Sequence, residues 1–252
     1  MNKYGKMTGI GMYWLFLSAA LAGSGFFQGM TGFGFGLVSM SLMPMFMSIK
    51  QAAVISTGFT LLATAITFAR HYRDYNWRLG ASYLASVCVG LPLGVILLQR
   101  SSEHTLIRLL GVAMLVMAAR EFLMRGPMRA FPPSWTIPWG IFSGAMSGAL
   151  NLGGVPTGAY AYTQPWSSGQ IMAFLQVMLT LTCTLRIVFY QKAGLAANLP
   201  WTYALLLVIP LYVALWLGHE MRNRFNLHSI RKGVFILVGM SGIYYTFLHR
   251  MK

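Results

Sequence analysis

Residues Gly23–Pro44 read "GSGFFQGMTGFGFGLVSMSLMP" and set six glycines in fourteen positions between two hydrophobic runs. Each glycine costs a helix interior about 1 kcal/mol relative to alanine. An apolar segment interrupted this densely needs a reason for the break.

The composition defines the solvent in which the break sits. Of 252 residues, 56% are apolar and 9% charged, and stretches such as "LGASYLASVCVGLPLGVILLQ" carry no charge at all. At 1.5 Å rise per residue, about twenty apolar residues cross the hydrocarbon core of a bilayer. Several such stretches in one chain predict a polytopic all-α membrane bundle, and too little surface charge is present for a soluble protein. The net charge of +15 does not argue for nucleic acid. The Lys and Arg residues cluster between hydrophobic runs, as in "RHYRDYNWR" and "RNRFNLHSIRK", where such clusters orient spans and meet anionic headgroups. The implied partner is the bilayer. Lys3 and Lys6 precede the apolar run Ile10–Ala22, and "SAALAGSG" resembles a signal-peptidase site, but hydrophobicity continues through Phe26 and Phe27. The segment reads as a first membrane helix rather than a cleaved leader.

The hydrophobic runs fall at about 9–31, 33–48, 51–69, 77–98 and 105–124, then, after "RGPMRAFPPSW", at about 135–150, 153–164, 168–190, 199–218 and 229–249. Each set has five segments and the second is always short. Landmarks recur in order: Gly25 and Gly29 match Gly144 and Gly148 at an offset of 119, Gly32 and Pro44 match Gly153 and Pro165 at 121, and Trp77 matches Trp201 at 124. Offsets that creep by a few residues are what loop insertions produce. The expected organisation is one membrane domain, 1–252, made of two homologous repeats, about 9–124 and 135–249, with about 8 to 10 membrane segments.

The pairs Gly25/Gly29 and Gly144/Gly148 have the four-residue spacing that lets helices approach closely. Packing does not account for "GFGFG" or for "NLGGVP" at 151–156, where breakers adjoin and the following apolar piece is short. A half-length helix leaves its first N–H groups unpaired, and in hydrocarbon these must face protein, water or a ligand. With the helix dipole they form an anion site, so the breaks are expected to build one. Gln28, Thr31, Gly32, Phe33, Gly34, Asn151, Gly153, Gly154 and Thr157 are the candidate substrate-binding residues around them. A methyl group at Gly34 or Gly154 is expected to obstruct the site.

The series "GSGFFQGMTGFGFG…P" and "GAMSGALNLGGVP", with aromatic-basic loops such as "HYRDYNW", resembles the TauE/SafE family of sulfite exporters over nearly the whole chain. The resemblance implies transport of sulfite, sulfonates or other small organic anions. The chain departs from the family's usual glycine run by placing Phe33 and Phe35 between Gly32, Gly34 and Gly36, rings that reshape any pocket there.

Other candidates are weaker. All four acids, Asp74, Glu103, Glu121 and Glu220, lie at or near segment ends, so no carboxylate relay at membrane depth is visible. The five histidines also sit at segment ends, and no metal-ligand spacing or cofactor motif is present. No catalytic constellation appears, so no enzyme is expected. Arg186, inside "IMAFLQVMLTLTCTLRIVFY", either snorkels toward the interface or presents a fixed charge to an anion path. Cys88 and Cys183 read as small core residues. Thr57, Thr60, Thr64 and Thr67 share one helical face and either bond backbone carbonyls or line a path. The function expected is a secondary transporter or facilitator for a small anion, multi-pass in the bacterial cytoplasmic membrane; the alternative is a non-transporting membrane scaffold or assembly subunit. The anion, the direction, the repeat orientation and a homodimer stay open.

Overall fold

The computed structural model of the chain describes residues 3–71, 75, 77–123, 132–195, 205–222 and 227–248. Among the described residues it is all helical. Ten α-helices follow in order: α1 (Lys3–Thr31), α2 (Phe35–Leu42), α3 (Ile49–His71), α4 (Trp77–Arg100), α5 (Glu103–Leu123), α6 (Thr136–Leu150), α7 (Gly154–Ala161), α8 (Ser168–Lys192), α9 (Val208–Met221) and α10 (Leu227–Ile243). A 3-10 turn, Met43–Met45, prolongs α2, another, Leu205–Leu207, leads into α9, and a π turn, Tyr244–Leu248, follows α10. The windows Ile49–Phe68, Gly80–Arg100 and Ser168–Lys192 are each long and apolar enough to span a bilayer. Outward-facing apolar side chains such as Leu15, Val116, Ile209 and Met240 give the bundle a surface suited to lipid rather than water.

Local chemistry sets the element ends. Gly32 (φ +81°) and Gly34 (φ +99°) take the left-handed conformation between α1 and α2, which glycine adopts without the Cβ penalty. Asn151 (φ 57°) ends α6 in the same way, and Gly153 precedes α7. A capping box starts α8: Ser167 accepts from the Gln170 N–H while Gln170 accepts from the Ser167 N–H, which satisfies two first-turn donors reciprocally.

The broken segments are hairpins. Beyond α2, the Phe46 ring returns to meet Tyr13 and Phe16 of α1, so α2 runs back along α1. Likewise the Tyr160 hydroxyl bonds Thr136, and Trp139 Nε1 donates to the Pro156 carbonyl, so α7 runs back along α6. Two eight-residue helices therefore point their N-termini at the interior.

The hairpins are gripped by helices distant in sequence. α1 packs lengthwise on α9 and α6 on α4. A Cβ at Gly29 would lie 2.9 Å from His219 N, and one at Gly148 would lie 2.9 Å from Val95 N. Gly25 abuts Leu211 and Leu215; Gly144 abuts Val87 and Leu91. These glycines pack helices, as their spacing predicts. Residue numbers rise together along both pairs, so each pair is parallel. The central pair α3 and α8 is antiparallel: Thr57 approaches the Tyr190 hydroxyl, whereas Phe68, near the other end of α3, packs in the cluster holding Phe174 and Met178. The pair α5 and α10 is antiparallel too, with Gly111 against Thr246, Gly239 against Ala118, and Glu121 paired with Arg231 at 2.7 Å.

Candidate anion site

The two hairpin tips meet at the centre of the bundle. A Cβ on Gly154 would lie 3.9 Å from Gly34 N, and Gly36 lies directly against the Asn151 carbonyl. Each tip is held by a polar side chain on a central helix. Gln176 of α8 donates from Nε2 to the Gly32 carbonyl at 2.6 Å, and Gln28 donates to the same carbonyl at 3.2 Å. On the other side, Asn151 Nδ2 donates to Ser56 Oγ of α3, which also meets Ser39 Oγ.

The first-turn donors are only partly used. The Phe35 N–H donates to Gln28 Oε1 at 3.1 Å and the Val38 N–H to the Gly34 carbonyl. The N–H groups of Gly36 and Leu37 have no hydrogen-bond partner among the described residues. In α7 the Val155 N–H reaches the Leu152 carbonyl, Pro156 has no N–H, and the Gly154 N–H is unpaired among the described residues. Both helix N-termini therefore present free donors and a positive dipole end.

Arg186 completes the site. It is 1% exposed, so it does not snorkel. Its Nη1 donates to the Ser147 carbonyl at 2.6 Å and to Ser147 Oγ at 3.0 Å, and its Nη2 donates to Cys183 Sγ at 3.2 Å. Its Nε has no partner. All three acceptors are uncharged, and no ion pair to Arg186 exists among the described residues. The cavity between the tips holds about 20 Å³, room for about one water molecule. What these groups can do together is bind negative charge by donors alone, in a low-dielectric setting where charge-assisted hydrogen bonds are strong.

Of the residues singled out from sequence, Gln28, Gly34, Asn151, Gly154 and Arg186 line this cavity. Five do not. The Thr31 hydroxyl is taken up by the Phe27 and Phe33 carbonyls. Gly32 supplies the carbonyl that anchors the tip. Phe33 packs beside Gly158 and the Tyr162 ring. Gly153 is wedged against Ser143 and Ser147. Thr157 bonds Gly153, Ser143 and Tyr83. A Cβ at Gly154 would meet Leu179 at 3.4 Å, an ordinary contact, whereas one at Gly34 would lie 2.6 Å from the Phe27 ring in addition to the positive φ.

Ser147, Thr182 and Cys183 line the cavity but were not singled out as ligands. Thr182 and Cys183 precede Arg186 by four and three residues, the spacing that puts side chains on one helical face; that signal was available. Nothing in the sequence pairs Ser147 with Arg186. The threonines of α3 each donate to the carbonyl one turn earlier, and Thr60 additionally reaches the cavity. The described acids stay at the periphery. Glu103 accepts from the Ile49 N–H at 2.9 Å, Glu121 pairs with Arg231, and Glu220 lies in the last turn of α9; Asp74 lies outside the described residues, as do the structural details of His249. No cluster of three metal-ligating side chains occurs among the described residues.

An all-helical, lipid-faced bundle with half-helices meeting beside a buried arginine is the build of a multi-pass membrane transporter. A profile of the sulfite exporter TauE/SafE family matches residues 15–245, and the chain belongs to that family. It is 27% identical over 232 residues to the probable sulfite/organosulfonate exporter TauE of Cupriavidus necator, an alignment covering 89% of this chain and 90% of that protein. No solved structure shows a significant match.

Proposed function

We propose that the chain is a secondary transporter or facilitator for a small anion, sulfite or an organosulfonate, in the bacterial cytoplasmic membrane. The observation that carries this reading is Arg186: a buried guanidinium with an unpartnered Nε and no carboxylate partner among the described residues, beside two helix N-termini with free N–H groups. A fixed guanidinium repels cations, and its free N–H donors match a pyramidal oxyanion. The similar Cupriavidus protein, named for sulfite and organosulfonates, supports the substrate class.

The halves α1–α5 and α6–α10 are read as inverted repeats. The equivalent helices α3 and α8 pack antiparallel, as do α5 and α10, which a two-fold axis in the membrane plane requires. The contact pairs also interchange under the offsets found in the sequence: Gly29 against His219 becomes Gly148 against Val95 when 119 is added to one and 124 subtracted from the other. In this topology α1–α2 and α6–α7 are re-entrant hairpins from opposite faces, six helices cross fully, and the two termini share one side.

The test is anion-dependent thermal stability of the purified protein. Sulfite or methanesulfonate raises the melting temperature and equimolar chloride does not. Identical curves with all three refute an oxyanion site.

A further inference from the structure

We infer that the protein is an anion exchanger, in which the loaded site crosses readily and the empty site does not. This rests on the proposed anion site and adds the rule by which it turns over.

Arg186 is 1% exposed and meets only the neutral acceptors Ser147 and Cys183, while its Nε–H donates to nothing. The free N–H groups of Gly36, Leu37 and Gly154 add positive potential from two converging half-helices. Among the described residues no acid lies within this region: Glu103 is tied to the α3 N-terminus, Glu121 to Arg231, and Glu220 ends α9. Among the described residues, an anion on the guanidinium is therefore the only counter-charge near the tips. With it, the centre is neutralised and its donors are satisfied. Without it, a lone positive charge and several unpaired donors must pass through a dry, closed intermediate, for which burial is most expensive. A carrier that follows a gradient by returning empty carries a carboxylate or similar group to neutralise the arginine on that leg. No such group is near among the described residues, so the return leg requires a second anion. The narrowness of the cavity, about 20 Å³, reinforces this, because little water can accompany the bare charge.

The experiment uses the full-length protein in proteoliposomes, with potassium and valinomycin on both sides to clamp the potential. Vesicles contain either unlabelled sulfite or potassium polyglutamate, which is too large to enter the site, and uptake of radiolabelled sulfite is timed. At least tenfold faster uptake into the sulfite-filled vesicles is expected. Equal rates in the two loadings overturn exchange and leave anion transport standing. Absence of uptake in both overturns exchange and transport together. The role of the missing counter-charge is checked separately in detergent with Cys183→Asp, which sets a carboxylate where Sγ now lies 3.2 Å from Nη2. The variant is expected to keep the anion-free melting temperature and to lose the sulfite-dependent thermal shift. If it keeps the full shift, an intrinsic counter-charge does not compete with the anion, and the inference falls.

Discussion

Replacing Arg186 with lysine keeps the charge and removes the planar fork. The guanidinium has five N–H donors; it spends two on Ser147 and one on Cys183, which leaves Nε–H and one Nη2 proton for a ligand. An ammonium that retains the Ser147 carbonyl has fewer protons and a different direction to offer, so it forfeits at least one charge-assisted hydrogen bond to the anion. Such a bond contributes about 1.5–3 kcal/mol, which corresponds to a rise of roughly 10- to 150-fold in Kd. Sulfite titration of the thermal shift, or equilibrium binding of labelled sulfite to purified protein, reads this directly. Arg186→Met goes further and is expected to abolish binding. Since no ionic partner among the described residues is stranded when the charge is removed, its melting temperature without anion should stay close to that of the wild type. Unchanged sulfite affinity in the lysine variant, or retained binding in the methionine variant, would refute the assignment of Arg186 to the anion.

Gly34→Ala, with its positive φ and 2.6 Å approach to Phe27, is expected to lose both uptake and stability, whereas Gly154→Ala, whose methyl meets no protein atom inside 3.4 Å and lies between the two tips, is expected to lose uptake while keeping its melting temperature; wild-type uptake in the Gly154 variant would refute its place in the site. Gly29→Ala and Gly148→Ala force backbones apart at equivalent crossings and should each lower stability by about 1–3 kcal/mol, seen as similar drops in melting temperature. Single cysteines at the N-terminus and at residues 125–131 should react with a membrane-impermeant thiol reagent from opposite faces, and labelling of both from one face would overturn the inverted topology. With no carboxylate relay described in the core, uptake at fixed potential should be the same with and without a pH gradient once the protonation of sulfite itself is allowed for; a residual dependence would refute it.

The helical bundle was legible because its causes are local. Runs of uncharged residues mark the helices as apolar, and clustered glycines with Pro156 mark the breaks. The packing role of Gly25, Gly29, Gly144 and Gly148 was legible from spacing alone. The site was legible only where a residue is costly in its own segment: Arg186 stands out in an apolar run, and Gly34 in a glycine cluster. Thr31 and Thr157 stand out equally, yet their hydroxyls are consumed by nearby carbonyls and by Ser143 and Tyr83, a choice decided by rotamer and neighbour. Ser147 and Gln176 act through contacts with residues far away in the chain, Arg186 and Gly32. No periodicity within a segment encodes such pairings. The orientation of the halves stays open in the sequence because it depends on which helices lie antiparallel, a property of the assembled bundle.

The lengthwise packing of α1 on α9 and of α6 on α4 has a consequence for biogenesis. The Gly25/Gly29 face of the first hairpin receives its partner only when residues 211–219 have left the ribosome, so that hairpin waits through nearly the whole of translation with its close-packing seam exposed to lipid or to the insertion machinery. The second hairpin finds α4 already in place. Chain assembly is thus ordered from the middle outward, and a nascent chain stalled before α9 holds an N-terminal half that quality-control proteases can recognise. Expressed as two polypeptides, the halves should be degraded singly and accumulate together.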